Sequence, residues 1–267
     1  MDQDRAERAG AIDRRPLRAW LAFAAFALVL AFAFQGTRGL WEPDEGRYAE
    51  VAREMLVSGD LLTPHLDFEP HFTKPPLTYW CITASMAAFG RNEWAVRLYL
   101  ALSFALTGLA IAALGARMWD RKTGFLAGTI YLTSLTPFVG AGFVTPDTLL
   151  ALWTAVALYG FWRSVERRSP GATWLWPILT GAAFGLGFLT KGPPALVLLP
   201  GFVIWQRVAG GRQWASGPSA ATRPIPRALP GIALGLLIGL SWFLVVAARD
   251  AGLTRYFLQG EVVGRVL

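Results

Sequence analysis

Long stretches without any charged residue alternate with short charged segments along this chain of 267 residues. Five stretches contain 19 to 24 residues, close to the roughly 20 apolar residues that a helix needs to cross a bilayer. Two more contain 15 residues, and a flanking charged side chain can lengthen each by snorkelling. The pattern therefore predicts seven membrane-spanning helices, within Ala19–Thr37, Leu98–Ala116, Thr123–Pro146, Thr148–Trp162, Ser169–Thr190, Gly192–Gln206 and Ala228–Ala248.

An eighth uncharged stretch, Pro75–Gly90, is predicted not to cross the membrane. It begins with two prolines and ends in a glycine, so its usable helix covers only Leu77–Phe89. A helix of this size is more often re-entrant or interfacial than spanning. The alternative is a genuine crossing at Leu77–Phe89, which would add one span.

Lysine and arginine predict the orientation, because cytoplasmic loops carry an excess of both. With all the basic clusters in the cytoplasm, the N-terminus is cytoplasmic and the bundle has seven spans. A crossing at Leu77–Phe89 would instead place one cluster outside, against the charge rule. The clusters are Arg5–Arg18, Arg117–Lys122, Arg163–Arg168 and Arg207–Arg227.

The first uncharged stretch also has features of a cleaved secretory signal. Basic residues up to Arg18 precede it, and Ala31–Ala33 is similar to a cleavage site. Because the apolar run is long and further spans follow, we interpret it as an uncleaved first span. Residues 1–18 are then a cytoplasmic tail, and residues 19–267 form a transmembrane domain.

Composition agrees with this architecture and excludes other classes of protein. Charged residues make up 16% of the chain, against roughly 25% in an average soluble domain. This excludes a disordered tail, a coiled coil and most soluble enzymes. The single cysteine, Cys81, excludes an intramolecular disulfide framework. The net charge of +7 would suit nucleic acid, but membrane orientation explains the basic clusters, so no nucleic-acid partner is predicted.

The first outer loop, residues 36–76, is unusually polar for so hydrophobic a chain. Its segment Gly36–Lys74 contains eight of the 18 acidic residues and both histidines. A polar insertion of this size is typical of a functional loop. His65 and His71 could hold a divalent metal ion with nearby acids, but their spacing is not diagnostic, and we predict no metal or other cofactor.

Part of this loop is predicted to be an amphipathic helix. Apolar residues recur at i, i+3, i+4, i+7 and i+8 from Tyr48 to Leu56, and Gly59 supplies a stop signal. The helix is too short and too charged to span, so we expect it along the membrane surface with its apolar side down. Asp44 and Glu45 fall in its first turn, near the positive end of the helix dipole.

Four further polar groups fall on the same outer side: Lys74, Asp147, Lys191 and Glu261. Structural alternatives exist, because Asp44 and Asp147 suit helix N-termini and the lysines suit membrane boundaries and helix C-termini. However, the chain has only three lysines, and two lie where the charge rule expects few. Lysine binds phosphate as a compact charge, and a carboxylate can take a proton from an attacking hydroxyl. The group indicates chemistry on a lipid-linked phosphate donor.

An ordered series of short motifs carries a family resemblance. The motifs are Trp41–Glu50 (WEPDEGRYAE), Arg53–Met55, Ser58–Asp60, Lys74–Trp80 (KPPLTYW), Phe89-Gly90, Glu93–Leu98 (EWAVRL), Thr145–Asp147 (TPD), Gly185–Pro193 (GLGFLTKGP) and Trp242–Leu244. In this order they resemble the N-terminal half of the ArnT-like glycosyltransferases. This is glycosyltransferase family 83, within the superfamily of the dolichyl-phosphate-mannose–protein mannosyltransferases.

The resemblance implies an all-α fold, a polytopic transmembrane helical bundle of the GT-C type in the bacterial inner membrane, with the first loop periplasmic. It implies inverting transfer of a sugar from a polyprenyl-phosphate donor to a lipid A-like glycolipid, a polysaccharide or a protein. Asp44 corresponds to the family's catalytic carboxylate, Glu45 completes its acidic pair, and Asp147 matches its second acid, so all three are predicted to be catalytic. Lys74 and Lys191 match its donor-phosphate lysines.

Three more residues are candidate substrate contacts by the same resemblance: Arg47, Tyr48 and Glu261. Two positions depart from the family pattern. Thr73 stands where the family usually has an acid before Lys-Pro-Pro, so a contact made by that acid is not expected here. Val262 follows Glu261 where the family often has histidine, so no histidine role is carried over.

The chain is shorter than members of that family, which leaves alternatives open. We expect a fragment, a truncated gene product or one part of a split protein. One alternative function is a truncated, non-catalytic remnant. Another is a membrane transporter or lipid flippase, which predicts charged residues near helix centres and broken helices at the middle of the membrane.

Overall fold

The structure, a computed structural model, describes residues 15–165, 174–204, 224–249, 252–253 and 256–257. Helices form nearly all of the described chain, and its one sheet is a small antiparallel hairpin, β1 (His65–Leu66) and β2 (Glu69–Pro70). The helices are α1 (Arg15–Phe32), α2 (Asp44–Ser58), α3 (Leu77–Phe89), α4 (Glu93–Met118), α5 (Arg121–Thr133), α6 (Leu135–Gly140), α7 (Asp147–Val165), α8 (Leu175–Lys191), α9 (Pro193–Ile204, beginning as a 3-10 turn) and α10 (Pro224–Arg249).

Three described helices are long and apolar enough to cross a membrane, namely Glu93–Met118, Asp147–Val165 and Ala228–Arg249. The shorter apolar helices include Leu17–Phe32 and α9. The predicted all-α, polytopic bundle is therefore confirmed, and the chain is a multi-pass membrane protein. The predicted tail lies almost wholly outside the described residues, as does Glu261.

One predicted span is interrupted in the structure. The uncharged run Thr123–Pro146 does not form a single helix, because α5 ends at Thr133 and Ser134 is extended before α6 begins. Pro137 explains the break, since it lacks the N–H that would bond the Thr133 carbonyl and its ring would collide with that carbonyl. In α3 the helix covers Leu77–Phe89, as expected, and its 13 residues reach only about 20 Å.

Small residues bring the helices of the bundle together. Gly181 of α8 faces Gly231 of α10 so closely that a Cβ on either would lie about 2 Å from the other helix's backbone oxygen. Gly124 of α5 lies equally close to the backbone of α4. Because lipid is as apolar as leucine, helices in a membrane associate through such close backbone packing rather than through hydrophobic burial.

The apolar side of α2 faces protein, not lipid. Its stripe, including Tyr48, Val51 and Met55, is buried in one core cluster with Ile82 of α3 and Leu100 of α4. The expectation that this side rests on the membrane surface is therefore wrong. Amphipathic periodicity shows that one side of a helix is covered, but it does not distinguish lipid from the ends of neighbouring helices as the cover.

Candidate functional site

The predicted site residues come from elements that meet at one end of the bundle. Tyr48 of α2 packs on Tyr79 of α3, with ring centroids 5.5 Å apart. The Tyr99 hydroxyl of α4 donates to the Thr145 carbonyl, 2.9 Å away, which lies just before α7. Tyr48, Tyr79 and Tyr99 belong to one buried core cluster, so the start of α2, the start of α3 and the start of α7 lie close together.

The end of α8 joins the same group through an aromatic and aliphatic cluster. Leu189 is buried in one cluster with Trp242 of α10, and Phe72 and Leu77 pack against this cluster. Since Phe72 and Leu77 flank Lys74 and Leu189 precedes Lys191, the two predicted lysines lie on adjoining segments. The Trp242 indole N–H also donates to the Leu62 carbonyl, at 2.8 Å, which ties α10 to the first loop.

Glu45 is the centre of a buried polar network. Its side chain is 2% exposed and receives two bonds from the Arg38 guanidinium, at 2.5 and 3.0 Å. Arg97 of α4, equally buried, donates to it at 3.1 Å. The backbone N–H groups of Trp41 and Val144 donate to it at 2.8 and 2.9 Å. Both carboxylate oxygens are therefore fully occupied.

The two arginines extend this network into the backbone. Arg97 also donates to the carbonyls of Arg38 and Gly39, both at 2.9 Å, and Arg38 donates to the Gly142 carbonyl at 2.8 Å. Burial by itself raises the pKa of Glu45, but the bonds from the arginines and the two backbone N–H groups outweigh it and lower the pKa to about 2. Glu45 is ionised at neutral pH and fixes the loop to α4.

Asp44, the neighbouring acid, has the opposite environment. It is the first residue of α2, with Pro43 before it, and its side chain forms no capping bond, so the capping alternative is wrong. The side chain is 59% exposed. Among the described residues, its ion-pair partner is Arg47, at 2.5 Å across one helical turn. Within that part of the chain, the exposed carboxylate therefore has one cationic partner.

Arg47 and Lys74 lie around His71 on the segment that leads into α3. The Arg47 guanidinium lies 5.9 Å from the centre of the Tyr48 ring. His71 Nε2 shares a 2.7 Å hydrogen bond with the Thr73 hydroxyl, and Lys74 donates to the Thr73 carbonyl at 3.3 Å. Burial lowers the pKa of His71, and the charges of Arg47 and Lys74 lower it further, so the ring is neutral at neutral pH. Two cationic side chains, those of Arg47 and Lys74, therefore lie near the neutral His71 ring.

Asp147 and Lys191 form an ion pair although 44 residues separate them in sequence. Asp147 is the first residue of α7 and Lys191 the last residue of α8. The carboxylate is 61% exposed and the lysine 29%. The structure therefore joins two residues that the sequence placed only on the same side.

The hairpin that precedes Lys74 is held by a residue that sequence reasoning did not single out. Glu54 of α2 is 2% exposed, and one of its carboxylate oxygens accepts the N–H of Phe68 at 3.0 Å. Phe68 and Asp67, the turn residues, both have positive φ. Arg38 and Arg97 were missed as well. The signal was present for Arg97, a charged residue that directly precedes a long uncharged run.

A surface cavity of about 700 Å³ is bordered by Glu42, Arg47, Glu50, Arg53 and Arg91, so it shares Arg47 with the candidate site. Asp44 and the two lysines do not line it. Within the described ranges, no three His, Cys, Asp or Glu side chains are grouped so that they could hold a metal ion.

Comparison with known proteins gives consistent matches. The model of the family described as dolichyl-phosphate-mannose-protein mannosyltransferase matches residues 17–257. An undecaprenyl phosphate-alpha-4-amino-4-deoxy-L-arabinose arabinosyl transferase of Pseudomonas fluorescens (strain Pf0-1) is 32% identical over 241 residues, covering 86% of this chain and 41% of the relative. A protein of the same description from Sodalis glossinidius is 40% identical over 176 residues, with coverages of 64% and 32%. The chain thus spans less than half the length of these curated relatives.

Solved structures agree with the sequence matches. ArnT from Cupriavidus metallidurans in the apo state has a TM-score of 0.78 and 30% identity, covering 91% of this chain and 44% of that chain. The structure of ArnT from the same organism bound to undecaprenyl phosphate gives a TM-score of 0.78 and 29% identity, with coverages of 92% and 44%.

Proposed function

Because the chain belongs to the dolichyl-phosphate-mannose-protein mannosyltransferase family, we propose that it forms the donor-binding and catalytic part of a membrane glycosyltransferase. The reaction moves a sugar from a polyprenyl-phosphate donor to a lipid A-like glycolipid, a polysaccharide or a protein. One observation carries the proposal: Asp44, Lys74, Asp147 and Lys191 lie on segments that meet at one end of the bundle. The relatives' names support an undecaprenyl phosphate carrier and an amino-pentose.

The two lysines act on the leaving group. When the bond between the sugar's anomeric carbon and the phosphate oxygen breaks, its electrons stay with the phosphate, which changes from a diester with one charge to a monoester. The monoester carries about −1.5 to −2 at neutral pH. Lys74 and Lys191 oppose this growing charge and so stabilise the transition state more than the bound donor. Phosphate is already a good leaving group, so the proposal uses no cofactor.

Asp44 acts on the acceptor. An exposed carboxylate with one partner can turn toward an acceptor hydroxyl and take its proton as the oxygen attacks, or can orient and polarise the acceptor group. Attack from the side opposite the phosphate inverts the anomeric carbon. Glu45 cannot serve in this way, because both of its oxygens are occupied and buried. We assign Glu45 a positioning role in place of the catalytic one that the sequence suggested.

The placement of charges favours an enzyme over a transporter. A transporter is expected to carry ionisable groups near the middle of its spans. Here Asp44 and Asp147 are the first residues of their helices and Lys191 is the last residue of its helix. With the basic clusters inside, we propose that this end faces the periplasm and that the N-terminus is cytoplasmic. Arg47 and Tyr48 border the site as candidate substrate contacts, while Glu261 remains a prediction.

Transfer of radiolabelled sugar from a polyprenyl-phosphate donor, in membranes that contain the chain, tests this function. Asp44→Asn is expected to lower the rate at least about 100-fold, the usual contribution of a general base. Glu50→Gln, an exposed ion-paired acid on the same helix, is the matched control and is expected to keep the rate. Equal transfer by wild type and Asp44→Asn would remove Asp44 from the mechanism. No transfer by any variant would support the non-catalytic remnant.

Labelling of engineered cysteines tests the shared side of the membrane. In a background with Cys81→Ala, single cysteines at positions 44, 74, 147 and 191 are expected to react with a membrane-impermeant reagent from the periplasm. A cysteine replacing Asp120, which caps α5 at a basic cluster, is expected to react only after the membrane is opened. Labelling at 44 and 74 without labelling at 147 and 191 would contradict a single site.

A further inference from the structure

In the described part of the site, both candidate acids are held by cations that a phosphate would also bind. Asp44 is paired with Arg47, and Asp147 is paired with Lys191. A carboxylate bound to a cation is a weaker base, and a cation bound to a carboxylate attracts phosphate less. Without substrate, each of these two acids therefore neutralises the charge of the cation with which it is paired.

The Asp147–Lys191 pair can exchange partners readily. Its carboxylate is more exposed than its lysine, and an ion pair that faces solvent is weak because water screens it and competes for both groups. A phosphate offers several oxygens to the lysine in charge-assisted hydrogen bonds, which are about twice as strong as neutral ones. The Glu45 network is different, since five bonds hold that carboxylate away from solvent. Phosphate can replace Asp147 on Lys191, whereas it cannot reach the partners of Glu45.

Resting on the proposed function, we infer that Asp147 competes with the phosphate of the lipid carrier for Lys191. Binding of the carrier phosphate releases Asp147 from the lysine. After transfer, the phosphate carries its largest charge and holds Lys191 most tightly, and Asp147 returns to the lysine as the product leaves. Asp147 is then a residue that limits product affinity, not one that binds the carrier.

If Asp147 competes with phosphate, removing its charge should raise the affinity of the chain for undecaprenyl phosphate. The affinity of the purified chain for undecaprenyl phosphate can be measured in lipid nanodiscs through tryptophan fluorescence. Asp147→Asn is expected to bind about two- to five-fold more tightly than wild type, the range that an exposed ion pair allows. Asp147→Glu keeps the charge and the competition, and is expected to bind like wild type.

Two controls separate competition from other causes. Glu50→Gln removes a similarly paired acid elsewhere on the same loop and is expected to leave affinity unchanged, whereas a general charge effect would raise it too. In a Lys191→Met background, Asp147→Asn is expected to give no further gain, because the group that both ligands seek is gone. A gain that persists without Lys191 would overturn the inference.

The outcomes for this inference and for the proposed function are distinct. If wild type binds undecaprenyl phosphate but Asp147→Asn binds equally or more weakly, the competition is overturned and the donor site stands. If wild type shows no saturable binding of undecaprenyl phosphate, the donor site itself is overturned, and the inference with it.

Discussion

Glu45 and Asp44 are neighbours in sequence, but they lie in two regions with opposite physical properties. The region around Glu45 is buried, with every carboxylate oxygen bonded and two arginines committed to it. In the region around Asp44, Lys74 and the Asp147–Lys191 pair, the two acids are exposed and the two lysines half-buried, and the two acids have one cation each among their described ion pairs. The contrast shows that a saturated charge network fixes geometry, whereas exposed single pairs leave groups able to exchange partners.

The largest expected effect comes from breaking the buried region. Glu45→Ala leaves Arg97, 2% exposed, without its counter-ion, and such a loss typically costs about 3–5 kcal/mol of unfolding free energy. Asp44→Ala removes an exposed pair and is expected to cost less than about 1 kcal/mol. Denaturant unfolding in a defined detergent measures both. Similar losses in the two variants would remove the distinction between the regions.

Lowering the pH gives a second test of the buried region around Glu45. The pKa of Glu45 is lowered from 4.5 to about 2, so its charged form stabilises the fold fully above pH 4.5, and that stabilisation is lost as the pH falls from 4.5 toward 2. Glu45→Gln is expected to be less stable at neutral pH and to lose less stability across this window than wild type. An unchanged slope in Glu45→Gln would contradict the lowered pKa.

In the exposed region, the expected loss is in binding rather than in stability. Lys74→Met is expected to weaken the affinity for undecaprenyl phosphate about 10- to 100-fold, as removal of a hydrogen bond to a charged group does. Its unfolding free energy is expected to change by less than about 1 kcal/mol. Arg91→Met, which removes an exposed cation in the segment between α3 and α4, is the control and is expected to bind normally. Normal binding by Lys74→Met would exclude the lysine from the donor site.

The smallest effect is expected for an ion pair that belongs to neither region. Glu50 and Arg53 lie one turn apart on α2, and both are about one-third exposed. Glu50→Gln is expected to change the unfolding free energy by less than about 0.5 kcal/mol, the usual value for such helical pairs. A loss as large as that of Glu45→Ala would show that exposure does not separate the two kinds of pair.

Much of the fold followed from the sequence because lipid imposes simple rules. Uncharged length identified the helices of Leu98–Ala116 and Ala228–Ala248, and proline and glycine bounded α3. The break in Thr123–Pro146 could have been anticipated from Pro137, but hydropathy alone is insensitive to it. The sequence could not predict whether the apolar stripe of α2 faces lipid or other helices, since periodicity carries no information about what packs against a helix.

The residues of the candidate site could be named from the sequence, but the pairs that they form could not. Sidedness grouped Asp147 with Lys191, but only folding brings the ends of α7 and α8 into contact. Nothing local distinguishes Glu45 from Asp44, because both are acids in the first turn of one helix. Their different environments come from Arg97 and Val144, which are distant in sequence. A single sequence therefore could not show that Glu45 holds the loop in place while Asp44 is the candidate base.

The Glu45 network also sets an order of events during synthesis. A ribosome delivers Glu45 first, its partner Arg97 52 residues later and its partner Val144 99 residues later. The bonds from Arg38 and Trp41 can form within the first loop, whereas the bond from Arg97 requires α4 and the bond from Val144 requires the segment before α7. The complete network of the loop that carries the candidate base therefore depends on segments made later, and a nascent chain halted before residue 144 holds every residue of that loop but not the last of its bonds.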